Sequence, residues 1–113
     1  MSLARGPLRL AVTLGDPRGI GPELAVSAAQ RLRRQAPEVG VLLIGHHPRS
    51  VEVPADLDLE VLGPFDGSER DAGRIAGRAI ERGVELVLDG QADALVTGPI
   101  HKPALHAAGY DEP

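Results

Sequence analysis

Residues 8–23, Leu8-Arg9-Leu10-Ala11-Val12-Thr13-Leu14-Gly15-Asp16-Pro17-Arg18-Gly19-Ile20-Gly21-Pro22-Glu23, decide how this chain is read. Leu8 to Leu14 alternates at first and then turns mostly apolar, as a strand entering a buried sheet does. Gly15 to Gly21 is turn-rich. Pro22 suits the first turn of a helix, because its φ is already helical and its missing N–H is not needed there. Glu23 places a carboxylate where the helix dipole favours one. Leu24, Ala25, Ala28, Ala29 and Leu32 then recur at helical spacing, which predicts a helix over 22–35, ended by Pro37. Strand, glycine-rich turn and helix in that order are the start of an α/β unit.

The rest of the chain repeats the alternation. Val39 to Ile44 is a short apolar run closed by Gly45, the pattern of a buried parallel strand. Residues 46–58 are polar and proline-punctuated, and 59–62 fit a short edge strand. Asp66-Gly67-Ser68 is a turn with a helix cap. Ile75, Ala79, Ile80, Val84, Val87 and Leu88 trace one face of the longest predicted helix, 68–88, which Asp89-Gly90 stops. Ala92 to Val96 reads as another buried strand, and His101 to Ala108 as a short helix stopped by Gly109. The class is α/β, a mainly parallel sheet with helices on both faces and right-handed crossovers. With 113 residues and no linker, one domain is expected.

Composition narrows the function. A net charge of −4 argues against a nucleic-acid surface, and the one dense basic cluster, Arg31, Arg33 and Arg34, lies where cations complement a helix C-terminus. Without cysteine there is neither a disulfide framework nor a thiolate metal site. No apolar run approaches the roughly 20 residues that cross a bilayer. Residues 1–7 lack the apolar stretch of a signal peptide, and the first few of them read equally as an added leader; a cytoplasmic home is the default.

Two strand-to-helix junctions carry the candidate chemistry, since ligands of open α/β sheets bind at the carboxyl ends of strands. At the first, Gly15, Gly19 and Gly21 let backbone approach a ligand and Asp16 adds a carboxylate, while the helix start offers N–H groups to an anion. The glycine spacing is neither the dinucleotide fingerprint nor a P-loop, and Glu23 would compete with a phosphate, so on composition alone a tight turn with a Pro-Glu helix start is the simpler reading. At the second, Thr97, Gly98, His101 and Lys102 bring a hydroxyl, free backbone, an imidazole and an ammonium within six residues. Lys102 suits a phosphate or carboxylate, or carries a proton if its pKa is depressed by burial. The plain alternative is a Gly-Pro turn with a solvated His-Lys pair.

GDPRGIGPE (15–23) and ADALVTGPIHK (92–102), in that order with a long helix between them, resemble the two N-terminal signatures of the 4-hydroxythreonine-4-phosphate dehydrogenase family. The similarity runs from about Leu8 to the C-terminus. The first loop is also similar to that of isocitrate and isopropylmalate dehydrogenases, which implies the N-terminal part of a two-domain fold of that kind. The resemblance implies oxidation of 4-phosphohydroxy-L-threonine with NAD or NADP, followed by decarboxylation, in pyridoxal 5'-phosphate (vitamin B6) synthesis. It implies a homodimer with its active site between domains, and a divalent cation (Zn, Mg, Mn or Co) held by three histidines as Lewis acid. Those histidines, the basic residues for the substrate phosphate and a Gly-His-Thr-Glu segment belong to later sequence. None is placed in this chain, which is therefore read as an incomplete portion, inactive alone. His46 and His47 are adjacent and diverge, and His101 and His106, five apart, match one helix face poorly. Between Gly45 and Ser68 the family usually carries more residues, including a helix. Two alternatives stand beside this reading: a paralogue acting on threonate or erythronate 4-phosphate, and a non-catalytic α/β binding module.

Overall fold

The computed structural model describes residues 7–48 and 52–110. Residues 1–6, which include those read as an added leader, lie outside them, as does 49–51 of the proline-rich connector. Seven elements follow one another: β1 (Arg9–Thr13), α1 (Gly21–Gln35), β2 (Gly40–Gly45), β3 (Asp58–Val61), α2 (Glu69–Leu88), β4 (Ala94–Val96) and α3 (Lys102–Ala107). All pairings are parallel and the strand order is β3-β2-β1-β4. The expected α/β class is what forms.

Strand alternation divides the core in two. Val41 and Leu43 of β2 pack with Leu14, Val26 and Ala29 beneath α1. Ala11 and Ile44 turn the other way, onto Ala79 and Leu86 of α2. Helices therefore cover both faces. Local chemistry sets the helix ends. Ser68 caps α2 by accepting a hydrogen bond from the Asp71 backbone N–H at 3.0 Å. Ala36, kept out of the helical region by the following Pro37, closes α1 with its N–H on the Leu32 carbonyl. Gly109, at φ +97°, ends the last helix.

Two expectations need correction. β4 is not a buried strand: it lies at the sheet edge beside β1 alone, and Val96 is 47% exposed. The face of α2 is also displaced. Ile75 and Ala79 are buried, but Leu86 joins them, while Val84 and Leu88 are exposed. At 100° per residue, 84 and 88 continue the row of Gly73 and Gly77 instead. That row is covered by α3 and Tyr110 only along its first half: a Cβ on Gly73 would run into the Ala104 backbone, and one on Gly77 into the Tyr110 ring.

Candidate functional site

The order β3-β2-β1-β4 reverses direction between β1 and β4. Chain from β1 travels through α1 to β2 on one side, and returns through α2 to β4 on the other. Loops at such a reversal diverge from the sheet and open a crevice at the carboxyl ends of the strands. Here these are the two junctions singled out from sequence.

A short seam joins them. The Asp16 backbone N–H donates to the Pro99 carbonyl at 3.1 Å. The Gly98 N–H donates to the Thr13 carbonyl at 2.9 Å and to Thr13 Oγ1 at 3.0 Å. Thr13 is fully buried, so its hydroxyl is present for this contact. Gly15 has φ +78°, and the Pro99 carbonyl occupies the space a side chain would need. A Cβ on Gly98 would lie 2.6 Å from the Thr13 carbonyl oxygen. Gly19 differs. A Cβ there would meet only the Asp16 carbonyl, at 3.6 Å, so the protein does not itself fill that space.

Asp16 is 7% exposed, with its carboxylate turned onto Arg18. Oδ1 accepts the Arg18 backbone N–H at 2.8 Å and Nε at 3.1 Å, and Oδ2 accepts Nη2 at 2.8 Å. Burial alone would push the Asp16 carboxyl up. The Arg18 hydrogen bonds and charge, with a contribution from His101, outweigh it and hold the group below the usual carboxylate range. The same pairing raises the pKa of Arg18.

Asp16, Arg18, Gly19, Gly21, Pro99 and His101 border a cleft of about 420 Å3. A second, of about 360 Å3, lies across the loop between Pro17, Pro22, Glu23, Pro48 and Phe65, with Arg18 and Gly19 common to both. His101 precedes α3, and its Nε2 is 3.3 Å from Glu69 Oε1 at the start of α2. Gly15, Asp16, Gly19, Gly21, Gly98 and His101 thus meet in one place. Thr97 instead borders an apolar groove of about 300 Å3 with Leu24, Ala28, Leu32 and Val96. Lys102 is exposed at the first position of α3.

Sequence reasoning missed Arg18, Glu69 and Thr13. A threonine in an apolar strand just before a glycine turn was a readable sign for Thr13, and Arg18 lay inside the motif. Nothing local marked Glu69 as a neighbour of residue 101. His46 bonds through Nδ1 to the Gly63 carbonyl at 3.3 Å, and its ring packs edge-on against His47 and Phe65. Among the described residues no three His, Cys, Asp or Glu side chains are grouped to hold a metal ion, and no helix is long and apolar enough to cross a membrane.

Residues 18–113 match the family model described as pyridoxal phosphate biosynthetic protein PdxA. A 4-hydroxythreonine-4-phosphate dehydrogenase of a Ruegeria species is 38% identical over 126 positions, covering 95% of this chain and 39% of the relative. That span exceeds the 113 residues here, so the relative carries extra residues within the matched region. A D-threonate 4-phosphate dehydrogenase of Cupriavidus necator is 33% identical, covering 92% of this chain and 39% of its own. The crystal structure of a 4-hydroxythreonine-4-phosphate dehydrogenase from Burkholderia phymatum superposes with a TM-score of 0.76 at 27% identity, over 95% of this chain and 41% of that one. The chain spans about two fifths of the length of the curated relatives it matches.

Proposed function

The chain belongs to the family of pyridoxal phosphate biosynthetic protein PdxA, and from that premise we propose that it serves an NAD(P)-dependent oxidation, with decarboxylation, of 4-phosphohydroxy-L-threonine in pyridoxal 5'-phosphate synthesis. The observation that carries the proposal is the seam between the two signature loops at the β1–β4 reversal, which builds one wall of a ligand crevice. In this reading the 113 residues are the N-terminal part of a two-domain dehydrogenase and give no turnover by themselves.

The proposed roles are these. Gly15, Gly21 and Gly98 let the two loops close on each other, and Gly19 leaves room for a ligand beside the backbone. Asp16 fixes the loop through Arg18. In the second loop Gly98 and His101 are the residues proposed to face substrate or cofactor, Thr97 borders the apolar groove instead, and Lys102, exposed at the start of α3, is proposed as the cation for a phosphate or carboxylate. The cofactor, NAD or NADP, supplies the hydride acceptor when bound, and the open space at Gly19 is compatible with its close approach. A divalent cation (Zn, Mg, Mn or Co) belongs to the proposed activity. The described residues offer no grouped donor set that fits it, so no step is assigned to it through them. A homodimer is proposed, supported by the exposed apolar residues Val84, Leu88 and Val96, and the site of action is placed in the cytoplasm.

The D-threonate 4-phosphate dehydrogenases among the relatives favour a second substrate of the same class. One assay separates the readings. The product of the complete reading frame containing these residues is given 4-phosphohydroxy-L-threonine, D-threonate 4-phosphate or D-erythronate 4-phosphate with NAD or NADP, and reduced nicotinamide is followed by absorbance. Reduction with the first alone supports the proposal, reduction with either of the others supports the paralogue, and none with any rejects the dehydrogenase reading.

A further inference from the structure

Thr13 is fully buried at the end of an apolar strand, and among the described residues its hydroxyl accepts a hydrogen bond only from a donor that the backbone already satisfies. The Gly98 N–H meets the Thr13 carbonyl at 2.9 Å and Oγ1 at 3.0 Å, so one donor is shared between two acceptors of the same residue. Valine has nearly the same shape without the desolvation cost of a hydroxyl, and it would leave Gly98 bonded to the carbonyl. The hydroxyl therefore adds little to the stability of the fold. What it adds is direction.

That direction is set where the chain leaves the sheet. The paired positions of β1 and β4 run from Leu10 with Ala94 to Val12 with Val96 and stop there. Thr13 and Gly98 lie just past the last pair, at the start of the loop that carries His101. With one acceptor the Gly98 N–H can swing about it. With two, on a residue whose side chain is stiffened by β-branching, the Thr97–Gly98 peptide plane is held. Pro99 follows with its φ fixed by its ring, and its carbonyl accepts the Asp16 N–H at 3.1 Å. The orientation set at Gly98 thus passes directly into the wall of the cleft that Asp16, Gly19 and His101 border.

We propose that Thr13 is a positioning residue, whose hydroxyl aims the second loop, and with it His101, across the cleft at the first loop. Being fully buried, Thr13 acts through Gly98 and not by contact with substrate or cofactor. The inference deepens the proposed function and rests on it for the reaction that the loop serves. A displacement of about 1 Å, even of groups remote from the chemistry, can cost an enzyme about a hundredfold in rate.

Two substitutions at this one position test the proposal in the complete reading-frame product. Thr13→Val keeps the shape and removes the hydroxyl. Its Tm should stay within about 2 °C of the parent, while kcat falls about tenfold or more and KM changes by less than about threefold. Thr13→Ser keeps the hydroxyl and removes a buried methyl. Its Tm should fall by about 2–4 °C, while kcat stays within about threefold of the parent. Activity and stability should therefore rank the two variants in opposite orders, which a merely structural role does not produce. Parental kcat in Thr13→Val, a loss carried by KM instead, a Thr13→Ser enzyme as slow as Thr13→Val, or failure of Thr13→Val to fold overturns the proposal. The Gly98 and His101 amide resonances of 15N-labelled protein give a readout independent of activity. They should move or broaden in Thr13→Val and stay close to their parental positions in Thr13→Ser; unchanged positions in Thr13→Val overturn the proposal as well. If the parent oxidises none of the phosphorylated acids the dehydrogenase reading fails, while these resonances still decide whether Thr13 aims the loop.

Discussion

Three glycines of α2 face three different kinds of neighbour, so one substitution made at each separates steric from intrinsic effects. Alanine in place of glycine inside a helix gains about 1 kcal/mol from backbone entropy. At Gly73 the new methyl would penetrate the Ala104 carbonyl group and lie 2.9 Å from the Leu105 nitrogen, all of it backbone of α3. That helix cannot yield by a rotamer change; it must lift off α2 as a body. Overpacking costs about 1–3 kcal/mol where side chains absorb it, and more where backbone must move. Gly73→Ala should therefore lose about 2–3 kcal/mol net, a fall in Tm of roughly 10–20 °C for a domain of this size. At Gly77 the obstacle is the Tyr110 ring, whose hydroxyl donates to Glu81 Oε1 at 3.3 Å. Displacing it should cost about 1 kcal/mol after the helix gain. At Gly83 the obstacle is the tip of Leu95, which can rotate, so the change should fall within about 0.5 kcal/mol of neutral. Thermal unfolding followed by circular dichroism at 222 nm measures all three. A Gly73→Ala protein melting at or above the Gly83→Ala protein would show that α3 is not seated as described.

Three further outcomes follow from the caps and charges. Ser68→Ala removes the side-chain acceptor for the Asp71 N–H and should lower stability by about 1 kcal/mol in urea unfolding, whereas Ser68→Asp should retain most of it. The depressed Asp16 pKa contributes stability that is complete above the ordinary aspartate value of 3.8 and is lost as pH falls through the lower folded value. Arg18→Met removes the side-chain hydrogen bonds and charge that oppose burial, leaving the residue-18 backbone N–H and His101, so the Asp16 carboxyl resonance should titrate at higher pH than in the parent; an unchanged midpoint would mean that the Arg18 side chain does not set it. Lys102→Met, at an exposed helix start, should leave Tm within about 2 °C while lowering kcat/KM in the complete reading-frame product. Equal kcat/KM would assign residue 102 to a solvated turn.

The fold was legible because every element carried a local signal. Pro22, Ser68, Gly90 and Gly109 punctuate the helices within two residues of where they begin and end, and Val41 to Ile44 could be little else than a buried strand. The two errors share a cause. Burial of β4 and of the far half of α2 depends on what lies beside them, and periodicity within an element says nothing about its neighbours. The site divides the same way. The glycines were visible as a cluster, but that Gly15 and Gly98 serve each other, through Pro99 and Thr13, needed the pairing of β1 with β4. Asp16 was rightly placed in the loop, yet its carboxylate faces Arg18, because a short Asp-Pro-Arg turn brings residue 18 back over residue 16.

The hydrogen bond from Gly98 to Thr13 joins residues 85 apart in sequence. A contact that distant should close late in folding, because the intervening loop entropy must be overcome before the bond can form. The β1–α1–β2 unit can assemble from nearby chain, whereas the crevice exists only after β4 has docked along β1. Amide exchange at Gly98 therefore reports on completion of the site separately from formation of the core. A destabilised variant should open the seam between the two loops at a stage when most of its helix signal remains.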